Sequence, residues 1–344
     1  MVSNFFGNAP VAETLVQMAR SGRIPQTILL SGPEGIGKAT LARRFGALLL
    51  PGGDRIERDD LSLPENASLI SDREKLAAEK RNEDPLLFSS HPDFVTFPPD
   101  GPLRQISIPQ MRLLKELSQY KPSKGSYRVF LIDQIQRANE QAANSLLKTL
   151  EEPPEHLILV LTAQNPYDLL PTIRSRAVML QMCPLNDEEM LAFSRYRNLD
   201  QAERRLALAQ GSPGVAVSLD LELFDKRRSA MLQLLQSASG RTAFAEWART
   251  SEALGNARSE KLDVYLEVLY DLLEDILLLR HGVASIRNTD VRAELQVIAG
   301  SVTFDWIRRA VLKLDELVEF ARRNIQKNVA LDALVVELQG TGTV

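Results

Sequence analysis

The sequence predicts a parallel α/β domain followed by an all-helical half. Three observations support this prediction. Apolar strand-like runs alternate with helical patterns in the first half, a glycine-rich pattern joins one such run to a helix, and strand-like runs cease near Pro184. Alternation of this kind is typical of a parallel sheet with helices on both faces. At 344 residues the chain exceeds the usual size of one domain, so we expect two or three folding units.

Four runs in the first half have the composition of buried strands. They are Gln26–Ser31, Asp93–Phe97, Tyr127–Asp133 and Leu157–Thr162. Between the last two, leucines at helical spacing predict a helix over residues 139–150. We expect it to end before Pro153-Pro154, because proline lacks the N–H of a helical bond and its ring clashes with the preceding turn.

A charged stretch over residues 51–86 interrupts this alternation. It is dense in Asp, Glu, Arg and Lys and poor in aromatic residues. Such a composition buries little apolar surface. We interpret the stretch as a solvated insertion, part loop and part short helix, rather than as an interaction tail.

The second half has a helical pattern throughout. Asn186-Asp-Glu-Glu189 is typical of a capped helix start, and Gly211-Ser-Pro-Gly214 predicts a break before a new helix. Amphipathic segments over 262–279 and 305–325 then indicate a helical bundle. Their apolar stripes are interpreted as core faces in preference to partner-binding grooves.

Composition excludes several classes of protein. The single cysteine, Cys183, can form neither an intrachain disulfide nor a cysteine-rich zinc site. The first residues lack the apolar stretch of a signal peptide, and charges break every later leucine-rich run, so we expect a cytoplasmic protein without membrane spans. A net charge of -4 argues against nonspecific coating of DNA, so any DNA contact is expected to be local or shared with partners.

The pattern Ser31-Gly-Pro-Glu-Gly-Ile-Gly-Lys38 lies between a predicted strand and a predicted helix, as a phosphate-binding loop does. Gly32, Gly35 and Gly37 would let backbone N–H groups curl around a phosphate, and Lys38 would supply a cation. A plain glycine-rich turn is the weaker alternative at this spacing.

The residue after the lysine lacks the group that holds magnesium. The motif requires Ser or Thr there, because its hydroxyl ligates Mg²⁺, and this chain has Ala39. Thr40 completes the degenerate loop but lies about 100° further round the helix, so it is poorly placed to substitute.

The end of the third predicted strand lacks a catalytic base. Asp133 is positioned as a metal-binding aspartate, but the next residue is Gln134, where an active ATPase of this type carries a glutamate that polarises water. An amide cannot accept that proton, so a contribution of roughly 10²–10⁴ in rate is missing. The alternative is that Gln134 is only a polar residue at a strand end.

Several motifs closely resemble the subunits of bacterial DNA polymerase III clamp loaders, which belong to the AAA+ superfamily. The matching segments are Ser31–Lys38, His91–Asp93, Asn139–Pro154, Leu169–Arg176 and Arg322–Leu334. The resemblance covers nearly the whole chain apart from the charged insertion. It implies a role in a pentameric, ATP-driven machine that opens a sliding clamp and places it on primer-template DNA.

The resemblance also implies a domain organisation. Members of the family share a RecA-like AAA+ P-loop domain with a parallel sheet, a small helical lid and a helical collar through which five subunits associate. On this chain these would be residues 1–183, 184–222 and 223–344. The family commonly has a four-cysteine zinc module where this chain has its cysteine-free insertion, so no structural zinc is expected.

Among the family's members, this chain resembles a non-hydrolysing one. Motor subunits carry Thr or Ser, Glu, and a sensor-2 arginine where this chain has Ala39, Gln134 and Gly214. The resemblance implies that no cofactor is required and that at most ATP or ADP binds weakly. The implied partners are the motor subunits and the delta subunit in a hetero-pentamer, the sliding clamp, and primer-template DNA within the assembly.

Arg176 is the residue to which the resemblance assigns chemistry. It is the second residue of a Ser-Arg-Cys-type motif whose third residue is Ala177, and in the family this arginine is a finger acting in trans on the ATP of a neighbouring motor subunit. An ordinary surface salt bridge is the alternative. Arg174, two residues earlier, provides an internal control.

Two further positions follow from the resemblance. Ser107 and Pro109 are typical of a helix start, and in the family the matching helix faces DNA, which makes Arg112 a candidate phosphate contact. A solvated surface arginine is the alternative. Thr162 and Asn165 are candidate sensor-1 residues near the nucleotide, or else caps at a strand end.

Two other functions also fit the sequence. The chain could be an active ATPase motor of the clamp loader with unusual motifs, or a stand-alone AAA+ protein that forms homohexamers. Turnover by the isolated chain would favour the first. Its size in solution would decide the second.

Overall fold

The computed structural model describes residues 5–256, 260, 262–321 and 326–339. They form two compact units: the described parts of residues 1–199 and 211–217, and those of 200–210 and 218–344. The finer division into three domains at residues 183 and 222 stays a prediction. Residues 322–325, which begin the last matching motif, and residues 340–344 of the predicted collar lie outside the described residues.

The described residues of the first unit contain one sheet of six strands. The strands are β1 (Thr27–Ser31), β2 (Phe88–His91), β3 (Phe94–Phe97), β4 (Arg128–Ile132), β5 (Leu157–Ala163) and β6 (Val178–Gln181). Their order is β2-β3-β4-β5-β1-β6, and every pairing is parallel except that of β2 with β3. The four predicted strands are confirmed as β1, β3, β4 and β5, while β2 and β6 were not predicted.

Helices make up most of the remaining described structure. They are α1 (Ala9–Ser21), α2 (Lys38–Leu49), α3 (Pro64–Glu74), α4 (Ala78–Glu83), α5 (Ile108–Ser118), α6 (Glu140–Glu151), α7 (Pro171–Arg174), α8 (Asp187–Arg197), α9 (Ala202–Ala209), α10 (Pro213–Ser218), α11 (Leu221–Ala238), α12 (Phe244–Asn256), α13 (Asp263–Arg280), α14 (Arg292–Ser301), α15 (Phe304–Ala321) and α16 (Lys327–Gln339). In the described part of the chain none is long and apolar enough to cross a membrane.

Both faces of the four central strands of the sheet, β3, β4, β5 and β1, are buried. Leu29 of β1 packs into one core with Leu146 of α6, while its neighbours Ile28 and Leu30 pack into the other with Phe45 of α2. Successive side chains of a strand point to opposite faces, so a strand with helices on both sides is apolar along its whole length. The predicted α/β layering is therefore confirmed.

The motif His91-Pro-Asp93 has a structural role. Asp93 is fully buried, and its carboxylate accepts backbone N–H bonds from Ser123 at 2.6 Å and Lys124 at 2.9 Å. The Nδ1 atom of His91 accepts the backbone N–H of Asp93 at 3.1 Å, so a neutral ring donates its Nε2 hydrogen to the carbonyl of Pro51, 2.9 Å away. These bonds tie the start of β3 to two neighbouring loops.

The charged insertion contains a 3-10 turn over Gly53–Asp59 followed by α3 and α4, which agrees with the predicted mixture of loop and short helix. Not all of it is solvated. The guanidinium of Arg73 is buried and donates to both carboxylate oxygens of Asp100, at 3.0 and 2.8 Å. Such a paired contact has a fixed geometry and fastens the insertion to the segment before α5.

The second unit is built from helices in its described residues, as predicted. Its core contains the two tryptophans, Trp247 and Trp306. The predicted segment 262–279 is α13, and 305–325 is α15 as far as residue 321. A buried guanidinium, Arg228, donates to both oxygens of Asp290 at 2.6 Å.

Candidate functional site

The glycine-rich loop joins β1 to α2 at the carboxyl edge of the sheet, where ligands bind in open α/β folds. Gly32, Gly35 and Gly37 have φ angles of 144°, 74° and 94°, which favour glycine. Gly37 lies at the N-terminal cap of α2. The backbone is thus curled as the sequence predicts for a phosphate-binding loop.

The lysine of the loop is bonded to the loop itself. The ammonium of Lys38 donates to the carbonyl oxygens of Gly32 and Pro33, each 2.6 Å away, and the residue is 8% exposed. Burial lowers the pKa of Lys38, and the charges of Asp133 and Glu34 oppose that change. A phosphate would therefore have to compete with the two carbonyl groups for the ammonium.

The hydroxyl of Thr40, the residue after Ala39, already has a hydrogen-bond partner. Thr40 Oγ1 accepts a hydrogen bond from Arg43 Nη2 at 3.4 Å, while Arg43 also forms an ion pair with Asp60 at 2.5 Å. Ala39 packs at the edge of the core on this face of the sheet. Residue 39 therefore has no hydroxyl group, and the hydroxyl of Thr40 is bonded to Arg43.

Asp133 and Thr162 meet at the ends of β4 and β5. The Thr162 hydroxyl donates to Asp133 Oδ1 at 2.6 Å and accepts the backbone N–H of Gln134 at 2.8 Å. Burial raises the pKa of Asp133, and the hydrogen bond from Thr162 opposes the rise. Of the two sensor-1 candidates, Thr162 contacts the aspartate, whereas Asn165 accepts the backbone N–H of Tyr167 and caps a turn.

The side chain of Gln134 is bonded to a neighbour on the same turn. Its backbone has a left-handed conformation with φ 56°, and its Oε1 accepts a hydrogen bond from Arg137 Nε at 2.6 Å. A non-glycine residue rarely adopts this conformation. The Thr162 hydroxyl holds it, because it accepts the Gln134 N–H. A glutamate here would meet the guanidinium of Arg137.

The residue at the sensor-2 position lies against the loop. The Gly214 N–H donates to the carbonyl of Gly35 at 2.7 Å. A Cβ atom added to Gly214 would lie 2.9 Å from that carbonyl oxygen and 3.0 Å from Gly35 Cα. A side chain there would require the backbone to move, so the start of α10 fits the loop because residue 214 is glycine.

An aromatic ring that the sequence did not single out also covers the loop. A Cβ atom added to Gly37 would lie 3.2 Å from Phe5 Cε2, and the guanidinium of Arg44 lies 5.8 Å from the centre of the same ring. The only sequence signal is the aromatic pair Phe5-Phe6.

Arg176 follows the short helix α7. Its Nη2 donates to Glu151 Oε1 at 2.8 Å and its Nη1 to the carbonyl of Thr172 at 2.9 Å, with the side chain 33% exposed. Arg174 instead places its guanidinium 5.0 Å from the ring centre of Tyr167. The two arginines therefore have different surroundings, although only one residue separates them.

Arg112 is exposed on α5. The helix begins as predicted, with Ser107 accepting the backbone N–H of Gln110 and the Gln110 side chain accepting the backbone N–H of Ser107. Asn186 and Glu189 form the same kind of capping box at the start of α8. Arg112 makes no ion pair within residues 5–256.

The strand order β3-β4-β5-β1-β6, a glycine-rich loop after β1 and an aspartate after β4 define a P-loop α/β protein. A family model described as "DNA polymerase III, delta subunit" matches residues 7–186. The chain belongs to this family.

Similar proteins carry related names. The chain is 32% identical to the DNA polymerase III subunit delta' of Pseudomonas aeruginosa over 210 residues, which are 60% of this chain and 58% of that one. It is 29% identical to the subunit delta' of Escherichia coli K12 over 205 residues, 59% of this chain and 60% of that one. The matches thus span about 60% of the length of these relatives.

A solved structure of a DNA polymerase III gamma subunit-related protein from Thermotoga maritima is also similar. It is 18% identical, covers 95% of this chain and 98% of its own, and has a TM-score of 0.44.

Proposed function

We propose that this chain is the delta-prime subunit of a bacterial DNA polymerase III clamp loader and helps to place the sliding clamp on primed DNA. Its family and the names of its relatives support this role. The proposed partners are the motor subunits and the delta subunit in a hetero-pentamer, with the clamp and primer-template DNA bound by the assembly. The proposed location is the cytoplasm.

We propose that the subunit does not hydrolyse ATP, chiefly because polar groups of the glycine-rich loop are hydrogen-bonded within the protein. Lys38 binds the loop's own carbonyl groups, and Gly214 is bonded to Gly35. With Ala39 and Gln134 in place of a magnesium ligand and a base, these residues do not fit a hydrolytic magnesium–nucleotide complex. No nucleotide is required in the proposed role, although the loop amides leave room for weak binding of ATP or ADP.

The proposed chemical contribution of the chain is made to a neighbour. Arg176 is partly exposed, and a guanidinium can form paired hydrogen bonds with a γ-phosphate and offset the charge that develops during its transfer. We propose that Arg176 acts in this way on ATP held by an adjacent motor subunit. In this proposal Arg176 acts on a neighbour's nucleotide, so its function does not depend on the degenerate nucleotide site of its own chain.

We expect the isolated chain to hydrolyse no ATP above the buffer rate, because both the magnesium hydroxyl and the water-polarising carboxylate are missing. Lys38→Ala should therefore leave the measured phosphate release unchanged. Phosphate release by the purified chain, with and without clamp and primed DNA, checks this. Turnover that Lys38→Ala abolishes would instead identify an active motor.

Arg112→Ala tests the proposed DNA contact. If Arg112 binds a phosphate in the assembled loader, the variant should reduce the slope of log affinity against log salt by about 1, because one fewer counterion is released. Fluorescence anisotropy of labelled primer-template DNA at several salt concentrations measures that slope. Lys115→Ala, a change to an exposed cation on the same helix, is the matched comparison. An unchanged slope for Arg112→Ala would assign Arg112 to the solvated surface.

A further inference from the structure

We propose that Glu151 is a positioning residue that holds the Arg176 guanidinium inside the chain until a neighbour's γ-phosphate replaces it. This inference rests on the proposed finger role of Arg176. It adds a step to that role: the arginine exchanges a carboxylate partner within its own chain for a phosphate on another chain.

In the chain alone, the Arg176 guanidinium already has hydrogen-bond partners. Nη2 of Arg176 donates to Glu151 Oε1 at 2.8 Å, and Nη1 donates to the carbonyl of Thr172 at 2.9 Å and to Ser175 Oγ at 3.4 Å. These two terminal nitrogens form one edge of the planar fork that can bind a phosphate in a bidentate manner. To present this edge fully to a phosphate, the arginine must release Glu151.

Buried neighbours fix the separation of the two charged groups. Leu150, which precedes Glu151, and Ile173, three residues before Arg176, belong to the same core of the first unit. Helix α6 ends at Glu151, just before Pro153-Pro154. The ion pair is therefore set by packed elements on both sides.

The position of Glu151 is unfavourable for its own helix. The C-terminal end of a helix carries partial negative charge, so a carboxylate in the last turn of α6 is destabilising unless a cation offsets it. Arg176 supplies that cation. Glu152 follows at the same helix end and forms no ion pair within the described part of the first unit, which makes it a matched control.

The expected effect is small because both partners are partly exposed, with side-chain exposures of 33% for Arg176 and 48% for Glu151. Removing the carboxylate should raise the ATPase rate of the reconstituted loader without DNA by about two- to five-fold, which corresponds to roughly 0.4–1 kcal/mol. A weak pair suits this role, since the arginine must be released on assembly.

The experiment compares Glu151→Gln with Glu152→Gln in a loader reconstituted with motor and delta subunits. We expect Glu151→Gln to raise the DNA-independent ATPase and Glu152→Gln to leave it unchanged. At saturating primed DNA both variants should match the wild type, because the arginine has already been released. The difference should also shrink at high salt, since exposed ion pairs are screened.

A double variant separates this inference from the proposed function. Glu151→Gln combined with Arg176→Ala should match Arg176→Ala alone if Glu151 acts through the arginine. Equal rates for Glu151→Gln and Glu152→Gln, or a slower Glu151→Gln loader, would refute the positioning role while an impaired Arg176→Ala loader still supported the finger. An unimpaired Arg176→Ala loader would refute the finger itself and the positioning role with it.

Discussion

Arg176→Ala is expected to depress the DNA-stimulated ATPase and the clamp-loading rate of a reconstituted loader while leaving the pentamer assembled. The physical reason is that hydrolysis at the adjacent motor site would lose a guanidinium whose contribution, where it has been isolated, is about 10³–10⁵ in rate. Phosphate release under single-turnover conditions and fluorescence-detected clamp loading measure the two effects.

Arg174→Ala is the control for this experiment, because Arg174 stacks on Tyr167 and lies two residues away. We expect a smaller loss from it than from Arg176→Ala. Native mass measurement of each complex verifies that assembly is intact. An assembled Arg176→Ala loader with normal ATPase and loading rates would remove the finger assignment and leave Arg176 with its pairing to Glu151.

Asp93→Ala is expected to destabilise the first unit by about 3 kcal/mol. Asp93 is fully buried and accepts the backbone N–H groups of Ser123 and Lys124. Its removal leaves two backbone donors without their charged acceptor and opens a small cavity. Asp93→Asn should cost less, because its amide keeps one acceptor oxygen.

Urea unfolding can assign that loss to the correct unit. Both tryptophans, Trp247 and Trp306, lie in the second unit, so their fluorescence reports that unit, whereas circular dichroism reports both. We expect Asp93→Ala to lower the urea midpoint of the circular-dichroism transition of the first unit and to leave the tryptophan transition in place. Equal stability of Asp93→Ala and wild type would show that this carboxylate is dispensable.

The central strands could be predicted because their burial dictates their composition. β1, β4 and β5 are buried along their whole length, so they appear in the sequence as continuous apolar runs. β2 contains Ser89-Ser90, which interrupt any apolar run, and β6 is a short run of four residues whose side chains are mostly exposed. Their pairing depends on tertiary contacts that a window of sequence does not contain.

Local chemistry also predicted the helix starts and the curled loop. Ser107 and Asn186 cap their helices through their own side chains, which requires residues only three positions away. The contacts made to the loop from other parts of the chain involve distant residues: Phe5 lies near Gly37, and Gly214 is bonded to Gly35. The ion pair of Arg73 with Asp100 was missed for the same reason, since 27 residues separate them.

The identity of the missing groups, in contrast, could be predicted fully from the sequence. Ala39 and Gln134 are visible as departures from a motif with fixed spacing. The hydrogen-bond partners of the remaining polar side chains could not be predicted from the sequence. Lys38 donates to the loop carbonyl groups and Gln134 accepts from Arg137, because the folded backbone brings these partners within hydrogen-bonding distance.

The mass of the complex formed by this chain with the motor and delta subunits tests the central claim most directly. Native mass spectrometry of the mixture should show a hetero-pentamer that contains one copy of this chain. The chain alone should have a low mass and form no homohexamer. A homohexamer of the chain alone, or a mixture in which the chain stays separate from the motor and delta subunits, would contradict its proposed place in the clamp loader.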